Sequence, residues 1–361
     1  MVSAWLYEYI YIVVVAILTL FIFLRYMQYS WNRLLVPAES RNTFAVLLTV
    51  LMIVFIGFRP VSAVFVDMVN YSRAYQLYQD EVFVFDWTLE NKLFDNLFLW
   101  MASAGIDQSF WFVAIAAVYF GGIFIACRKM FPRDALYAML VYLAAFSTFA
   151  AGVNGIKSGA AASLFLVAIA YRDKKWLSYL FLFLSYGFHH SMQVLVVAYI
   201  VVSLVKKPKY YLWIWGASLL MAALHITFFQ ELFAGFTDEH SAGYLVFDQN
   251  DEALHLTGFR LDFIIYSAIP IILGYYLIFK RGLKSEKFNF LYNMYVLVNS
   301  VWLLCMYANY TNRIAYLSWL LLPIILVYPF LNERLSSMQY QQCGVVALLH
   351  LAFTLFMIFV Y

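Results

Sequence analysis

The chain is built from apolar runs of membrane-spanning length that recur from one end to the other, separated by short turns rich in Lys and Arg. Hydrophobic residues make up 65% of the sequence and charged residues only 12%. Soluble domains average roughly 45–50% apolar and about 25% charged residues. No stretch between the runs is large enough to be a soluble domain, so residues 1–361 are predicted to form a single membrane domain. The predicted fold class is an all-α polytopic integral membrane protein.

Twelve of the apolar runs are predicted to cross the bilayer. The predicted transmembrane helices are Trp5–Leu24, Phe44–Phe58, Phe110–Ala126, Ala135–Ala150, Ile156–Tyr171, Trp176–Phe188, Met192–Val205, Tyr211–Phe229, Phe263–Phe279, Phe288–Tyr307, Ile314–Phe330 and Gly344–Tyr361.

The Lys and Arg residues are distributed unevenly between the two sides that these spans define. If the N-terminus lies outside, 17 of the 23 fall in inner turns and 6 fall on the outer side. Because cytoplasmic loops carry the excess of Lys and Arg, this distribution predicts that both termini lie outside. A cation at the outer end of a membrane helix is costly and is usually retained for a ligand. The six outer cations are Arg59, Arg73, Lys92, Lys157, Arg260 and Arg313.

Two outer segments are long enough to hold structure of their own. Residues 59–109 are too charged to span a membrane, but their apolar residues recur at helical spacing, as at Leu93, Leu97 and Phe98. We therefore predict one or two amphipathic helices on the outer interface. Residues 230–262 are acidic and contain three glycines, which predicts an irregular, lid-like loop.

Within the first outer segment, Asp67, Tyr71, Tyr75 and Tyr78 recur at steps of three or four and are predicted to share one helical face. Tyr71 and Tyr75 are candidates for stacking against sugar rings, and an aromatic belt at the membrane interface is the alternative. Asp67 is a candidate for accepting a proton from a substrate.

A short helical hairpin is predicted to hold a recessed site. Trp176–Phe188 has thirteen residues, which as a helix is about 20 Å long, against a hydrocarbon core of ~30 Å. Its partner Ile156–Tyr171 is also short, so Lys157 and His189 should lie at similar depth below the outer surface. Such groups imply a cavity that opens outward. The alternatives are a snorkelling lysine and a pair of interfacial histidines, His189 and His190.

Several recessed cations on the outer side would suit phosphate or pyrophosphate, since Arg offers a bidentate fork and Lys a point charge. Arg59 directly follows a predicted span, and Arg313 lies between two spans with no room for a loop. For Arg260 an ion pair with nearby Asp262 is the competing interpretation. The sequence has no nucleotide-binding motif, so the energy for a reaction must come with the substrate, as in a lipid-pyrophosphate sugar donor. No cofactor, metal ion or nucleic-acid partner is predicted.

Four short motifs occur along the chain in a recognisable order. They are Arg59…Asp67…Asn70-Tyr71, Asn154-Gly-Ile-Lys157-Ser-Gly-Ala-Ala, Phe188-His189-His190-Ser191 and Arg313…Tyr316. Together they resemble the EpsG-like branch of the Wzy-type polysaccharide polymerases. That family's Phe-His-x-Ser pattern falls on Phe188, His189 and Ser191, which favours His189 over His190.

The resemblance implies a GT-C-like glycosyltransferase that joins undecaprenyl-pyrophosphate-linked oligosaccharide repeats at the periplasmic face of a bacterial inner membrane, to make O-antigen or exopolysaccharide. We expect Arg59, Lys157 and Arg313 to hold the pyrophosphate, and His189 or Asp67 to orient or deprotonate the acceptor hydroxyl, with inversion. The further substrate-binding candidates are His190, Arg260, Tyr71, Tyr75 and Asn154. The expected partners are the lipid-linked oligosaccharide, membrane lipid, a chain-length regulator and a flippase.

Two other functions also fit features of the sequence. A transporter or flippase for lipid-linked oligosaccharide would also explain many spans and recessed cations, but the two halves of the chain show no internal repeat. A membrane O-acyltransferase would also use His, but it would need its acyl donor from the inner side, where no His is predicted.

Overall fold

The structure is a computed structural model that describes residues 2–28, 38–234 and 258–360, with no strand among them. The chain forms two compact units. The first comprises Met1–Gln193 and Val327–Tyr361, and the second comprises Val194–Leu326. Residues 235–257 of the predicted lid-like loop (230–262) lie outside the described residues, as does Arg33, one of the basic residues predicted for the inner turns.

Helices make up most of the described chain, as the apolar runs predict. Numbered along the chain, they are α1 (Leu6–Met27), α2 (Ala38–Gly57), α3 (Met68–Leu77), α4 (Lys92–Ser103), α5 (Gln108–Met130), α6 (Ala135–Leu143), α7 (Phe146–Val153), α8 (Ile156–Ala170), α9 (Lys175–Phe188), α10 (Gln193–Leu204), α11 (Pro208–Ala223), α12 (Phe228–Ala234), α13 (Leu261–Tyr275), α14 (Glu286–Leu304), α15 (Thr311–Trp319), α16 (Leu322–Asn332) and α17 (Gln339–Phe359). Short 3₁₀ turns cover Ala63–Phe65 and His190–Met192, and a π-helical turn covers Tyr276–Lys280.

Five stretches of helix in the described chain are long and apolar enough to cross a membrane. They are Leu6–Met27, Gln108–Met130, Leu261–Lys280, Thr311–Asn332 and Gln339–Phe359. Shorter apolar helices include Ile156–Ala170, one arm of the predicted hairpin. The chain is thus a multi-pass membrane protein, and the count of twelve spans stays a prediction.

Some of the predicted spans are not single straight helices. Residues 211–229 are divided between α11, which ends at Ala223, and α12, which begins at Phe228. Residues 135–150 are divided between α6 and α7, which meet at an angle of 78°. The carbonyls of residues 142, 143 and 144, freed at the bend, accept hydrogen bonds from the hydroxyls of Thr148, Tyr11 and Thr354, at 2.7, 2.7 and 2.6 Å. A broken helix is tolerated at membrane depth when protein groups satisfy its backbone. The bend leaves no trace in hydropathy because its residues are as apolar as their neighbours.

Polar contacts join the turns that the sequence assigns to the inner side. In the first unit, Lys129 Nζ lies 2.9 Å from Asp173 Oδ2, and Tyr26 donates to Asp134 Oδ1 at 2.8 Å. In the second unit, the turns before α11 and α14 approach each other where Lys206 Nζ lies 3.5 Å from a Glu286 carboxylate oxygen. Within each unit, turns that the positive-charge pattern groups together therefore lie at the same end. Which compartment that end faces stays a prediction.

The first outer segment contains two helices, α3 and α4, which pack against each other. The tyrosines at 71, 75 and 78 all meet the ring of Phe98 on α4, with ring centroids 6.3, 5.3 and 6.5 Å away. They therefore share one face of α3 and its C-terminal end, as their spacing predicts. In turn α4 packs on α9 and α5, so this segment is part of the first unit's core.

Two adjacent glycines of α5 provide a test of how closely α5 approaches α8. A Cβ added at Gly122 would lie 2.8 Å from the Cβ of Ser163, whereas one added at Gly121 would have nothing within 4 Å. We expect Gly122→Ala to lower the free energy of unfolding by about 1–3 kcal/mol through overpacking. Gly121→Ala should be neutral or slightly stabilising, because Ala favours helix more than Gly does. Denaturant unfolding of both variants in detergent measures the difference. Equal stabilities would contradict this close packing.

Candidate functional site

The first turn of α4 lies beside the start of α8 and holds its lysine. Lys157, the second residue of α8, places its Nζ 2.8 Å from Asp95 Oδ1, with side-chain exposures of 22% and 24%. The same ammonium lies 5.0 Å from the centre of the Phe94 ring. Lys157 is thus recessed and paired, with part of its surface still open.

The same turn of α4 also holds a histidine. The backbone N–H of His190 donates to Asn91 Oδ1 at 3.0 Å, and His190 Nδ1 lies 3.1 Å from Glu90 Oε1. Its neighbour His189 accepts a hydrogen bond at Nδ1 from the backbone N–H of Ser191, at 3.1 Å. We call Glu90, Asn91, Asp95, Lys157, His189 and His190 the His–Lys cluster.

The local sequence explains why α4 and α9 meet at this cluster. Helix α9 ends at Phe188, and His189 continues in an extended conformation (φ −154°, ψ 122°), which turns the chain into His190–Met192. Gly187 allows the close approach, because a Cβ there would lie 2.5 Å from Leu93 Cδ1 on α4. Phe94 and Phe188 meet edge to face next to this contact, at 5.9 Å.

Sequence reasoning missed Asn91 and Asp95 of the cluster. In the sequence, Asp95 is one of the charges that make residues 59–109 too polar to span a membrane, and Asn91 belongs to none of the four motifs. The signal lay in their spacing: Asn91 and Asp95 are four residues apart at the start of an amphipathic helix, and so face the same neighbour. The backbone N–H of Asn91 donates to Asp95 Oδ2 at 3.2 Å, which links the two.

Arg59, predicted to bind pyrophosphate, is buried, with only 4% of its surface exposed. It donates to the carbonyl of Ile56 at 2.8 Å and to the carbonyl of Val153 at 2.9 Å, near the C-terminal ends of α2 and α7. Phe65 and Phe112 lie 5.4 and 5.2 Å from its guanidinium carbon. Burial lowers the pKa of Arg59 to about 10. This geometry is that of a clamp between two helix ends, and the buried Nε of Arg59 has no hydrogen-bond partner among the described residues. Pyrophosphate binding by Arg59 stays a prediction, against which these contacts compete.

Asn154 directly follows α7, and Asp67 directly precedes α3. Asn154 follows the carbonyl that Arg59 binds, and its buried Oδ1 has no hydrogen-bond partner among the described residues. Asp67 immediately precedes α3, and its carboxylate does not cap that helix. Binding by Asn154 and proton acceptance by Asp67 stay predictions.

The two candidate tyrosines have different environments. Tyr75 is only 1% exposed and donates its hydroxyl to the carbonyl of Ile106 at 2.9 Å, so a sugar cannot stack on it in this structure. Burial, followed by the nearby Asp107 carboxylate, raises the pKa of Tyr75 to about 12. Tyr71 is half-buried, with its ring edge-on to Phe94. Only Tyr71 remains a candidate for stacking.

The second unit holds the other two predicted cations. Arg260 forms a bidentate ion pair with Asp262, at 2.9 and 2.6 Å, which confirms the pairing that competes with substrate binding. Arg313 is exposed near the start of α15 and lies over the ring of Tyr310, whose backbone is left-handed (φ 52°). The Oδ1 atoms of Asn309 and Asn312, which flank Tyr310 and Thr311, are buried and have no hydrogen-bond partner among the described residues. Arg313 is thus presented by a strained turn with unsatisfied acceptors.

A family model described as "EpsG family" matches residues 42–361, which include both units' candidate residues. The chain belongs to the EpsG family. Comparisons with curated proteins and with solved structures match nothing. The EpsG family is of the polysaccharide polymerase type, and this membership confirms the resemblance drawn from the four motifs. It also agrees with the apolar, multi-pass architecture of this EpsG-family protein.

Proposed function

We propose that this EpsG-family protein is a glycosyltransferase that joins undecaprenyl-pyrophosphate-linked oligosaccharide repeats into a polysaccharide such as O-antigen or exopolysaccharide. The reaction is inverting and needs no metal ion, because protein cations neutralise the leaving pyrophosphate. It takes place at the periplasmic face of a bacterial inner membrane. The proposal includes a GT-C-like arrangement of twelve spans, with membrane lipid, a flippase and a chain-length regulator as partners.

The observation that carries the proposal is the His–Lys cluster in a chain of a polysaccharide polymerase-type family. A lysine and two histidines lie against one helix turn, in the first unit and away from the Lys129–Asp173 end. Cations stabilise charge that develops on a leaving pyrophosphate, and imidazole groups transfer protons near neutral pH. Both are needed to form a glycosidic bond from a pyrophosphate-linked sugar.

Each candidate residue has its own role in the proposed reaction. Lys157 contacts the donor pyrophosphate and exchanges part of its contact with Asp95 for the ligand. In the second unit, pyrophosphate binding by Arg313 stays a prediction. Arg59 acts indirectly, since it holds the α7 end from which Asn154 and then Lys157 follow. Tyr71 stacks on a sugar ring. The proton of the acceptor hydroxyl passes to a residue near the donor, for which His189 and Asp67 are the candidates from sequence.

Purified protein supplied with a single lipid-linked repeat tests this function. We expect the wild-type protein in detergent to make dimers and longer products, visible as a ladder on a gel. Arg313→Ala should keep its unfolding temperature, because Arg313 is exposed, and should lose the ladder. A flippase has no activity to show without a bilayer. Wild-type protein that leaves the repeat unchanged would exclude the polymerase.

A further inference from the structure

The two histidines of the His–Lys cluster stack on each other but have opposite ring-nitrogen roles. Their ring centroids are 4.8 Å apart, with 25° between the planes. Backbone N–H groups can only donate, so they identify the atoms that must accept. Because the N–H of Ser191 donates to Nδ1 of His189, that nitrogen carries the lone pair. In neutral His189 the proton is therefore on Nε2, which is a hydrogen-bond donor.

His190 has the other tautomer. Its own backbone N–H donates to Asn91 Oδ1, which fixes the orientation of that amide. His190 Nδ1 lies 3.2 Å from the same oxygen and 3.1 Å from Glu90 Oε1. A nitrogen that faces an amide oxygen and a carboxylate oxygen must donate, so the proton of neutral His190 is on Nδ1. Its Nε2 carries the lone pair.

We infer that His190, oriented by Glu90, is the general base of the proposed reaction, and that His189 is a hydrogen-bond donor to the substrate. The inference rests on the proposed function and names a different residue from the one that the sequence motif favours. A carboxylate on one ring nitrogen fixes the tautomer of an imidazole and stabilises its charged form after proton uptake.

The balanced step uses both histidines. The acceptor hydroxyl loses its proton to His190 Nε2 as its oxygen forms a bond to the anomeric carbon of the donor. The bond from that carbon to the pyrophosphate oxygen breaks, and its electron pair leaves with the pyrophosphate. Lys157 stabilises the new negative charge, and His190 then releases its proton to water or to the leaving pyrophosphate. The products are the extended oligosaccharide and undecaprenyl pyrophosphate.

The reverse assignment would cost a hydrogen bond. For His189 to accept a proton at Nε2, its Nδ1 would have to carry hydrogen. The Ser191 hydroxyl, 2.8 Å from Nδ1, could accept that hydrogen, but the backbone N–H of Ser191 would lose its acceptor. The charged or titratable groups in contact with the His190 ring include Glu90 and His189, and the Asp95–Lys157 pair lies at the same turn of α4.

Amide substitutions that imitate one ring nitrogen at a time test the assignment, with the rate of polymer formation from lipid-linked repeat as the readout. His190→Asn keeps a donor near the Nδ1 position, for Glu90 and Asn91, and removes the base. We expect it to remain folded and to lose roughly 10²–10⁴-fold in rate, the range for general acid–base catalysis. His189→Gln keeps a donor near the Nε2 position and should lose much less. The His190→Ala substitution leaves space for a small base, so this variant should recover activity when imidazole is added.

Glu90→Gln tests the positioning role. Loss of the carboxylate destabilises the charged ring, so the acidic limb of the pH–rate profile should move to lower pH, a shift that a purely structural role would not cause. An active His190→Asn protein, an inactive His189→Gln protein, or an unchanged pH profile in Glu90→Gln would overturn the assignment. If the wild-type protein itself makes no polymer, the proposed function fails instead.

Discussion

Replacing Lys157 by methionine is expected to abolish most polymer formation without unfolding the protein. Removal of one preorganised group that stabilises transition-state charge typically costs about 10²–10³-fold in rate. The substitution also leaves Asp95 without its cation, so stability is measured in the same samples. A second change, Asp95→Asn, removes that unpaired charge. We expect Lys157→Met/Asp95→Asn to regain the wild-type unfolding temperature and to remain inactive. Rates on lipid-linked repeat and thermal unfolding in detergent provide both measurements.

The chain offers a closely matched control for this experiment at the other end of the first unit. Lys129 also pairs with an aspartate, at 2.9 Å from Asp173, and also lies over an aromatic ring, at 5.1 Å from the centre of Tyr171. Lys129→Met removes the same interactions from a pair outside the proposed site, and its rate should stay close to wild type. If the double variant at 157 and 95 polymerises normally, the Lys157 ion pair serves only to hold α4 in place.

Replacing Arg59 by methionine is expected to lower stability more than any other single change considered for this chain. Two carbonyls at helix ends would lose a charged donor, and each such hydrogen bond is worth about 1.5–3 kcal/mol. The expected loss in the free energy of unfolding is therefore about 3 kcal/mol or more. Polymer yield should fall only in proportion to the loss of folded protein, because the guanidinium contacts carbonyls rather than the proposed substrate.

Arg73→Met is the control, since Arg73 lies exposed on α3 in the same outer segment. It should change the free energy of unfolding by no more than about 0.5 kcal/mol. An Arg59→Met protein that unfolds at the wild-type temperature but makes no polymer would contradict the structural role of Arg59. That result would favour Arg59 as a pyrophosphate ligand.

The helical character of the chain and the grouping of its turns could be predicted because both depend on local amino-acid composition. Apolar runs of sufficient length must be helical in a bilayer, and the turns that the Lys and Arg pattern assigns to one side meet in the structure through Lys129 and Asp173. Counting residues along a tight hairpin predicts that Lys157 and the histidines lie at similar depth, at the same end of the hairpin. In the structure the first turn of α4 contacts Lys157 and His190.

The parts of the site that could not be predicted depend on contacts between residues far apart in sequence. Asp95 and Lys157 are separated by 62 residues, and Arg59 and Val153 by 94. Nothing in the local pattern distinguishes a cation held for a ligand from one that bonds to carbonyls at a helix end. Tyr75 shows the same limit of local sequence patterns. Its spacing predicts the correct helical face, but only its burial in the folded protein shows whether the ring packs in the core or is open to a sugar.

The bend between α6 and α7 has a consequence for how the protein is made. Two of the hydroxyls that satisfy its carbonyls come from α1 and α17, at Tyr11 and Thr354. Thr354 is synthesised 210 residues after Ala144, whereas Thr148 follows Tyr142 by only six residues. During synthesis the carbonyl of residue 142 therefore meets its hydroxyl long before the carbonyl of residue 144 meets its own. The bend reaches its final set of hydrogen bonds only after α17 has packed against it.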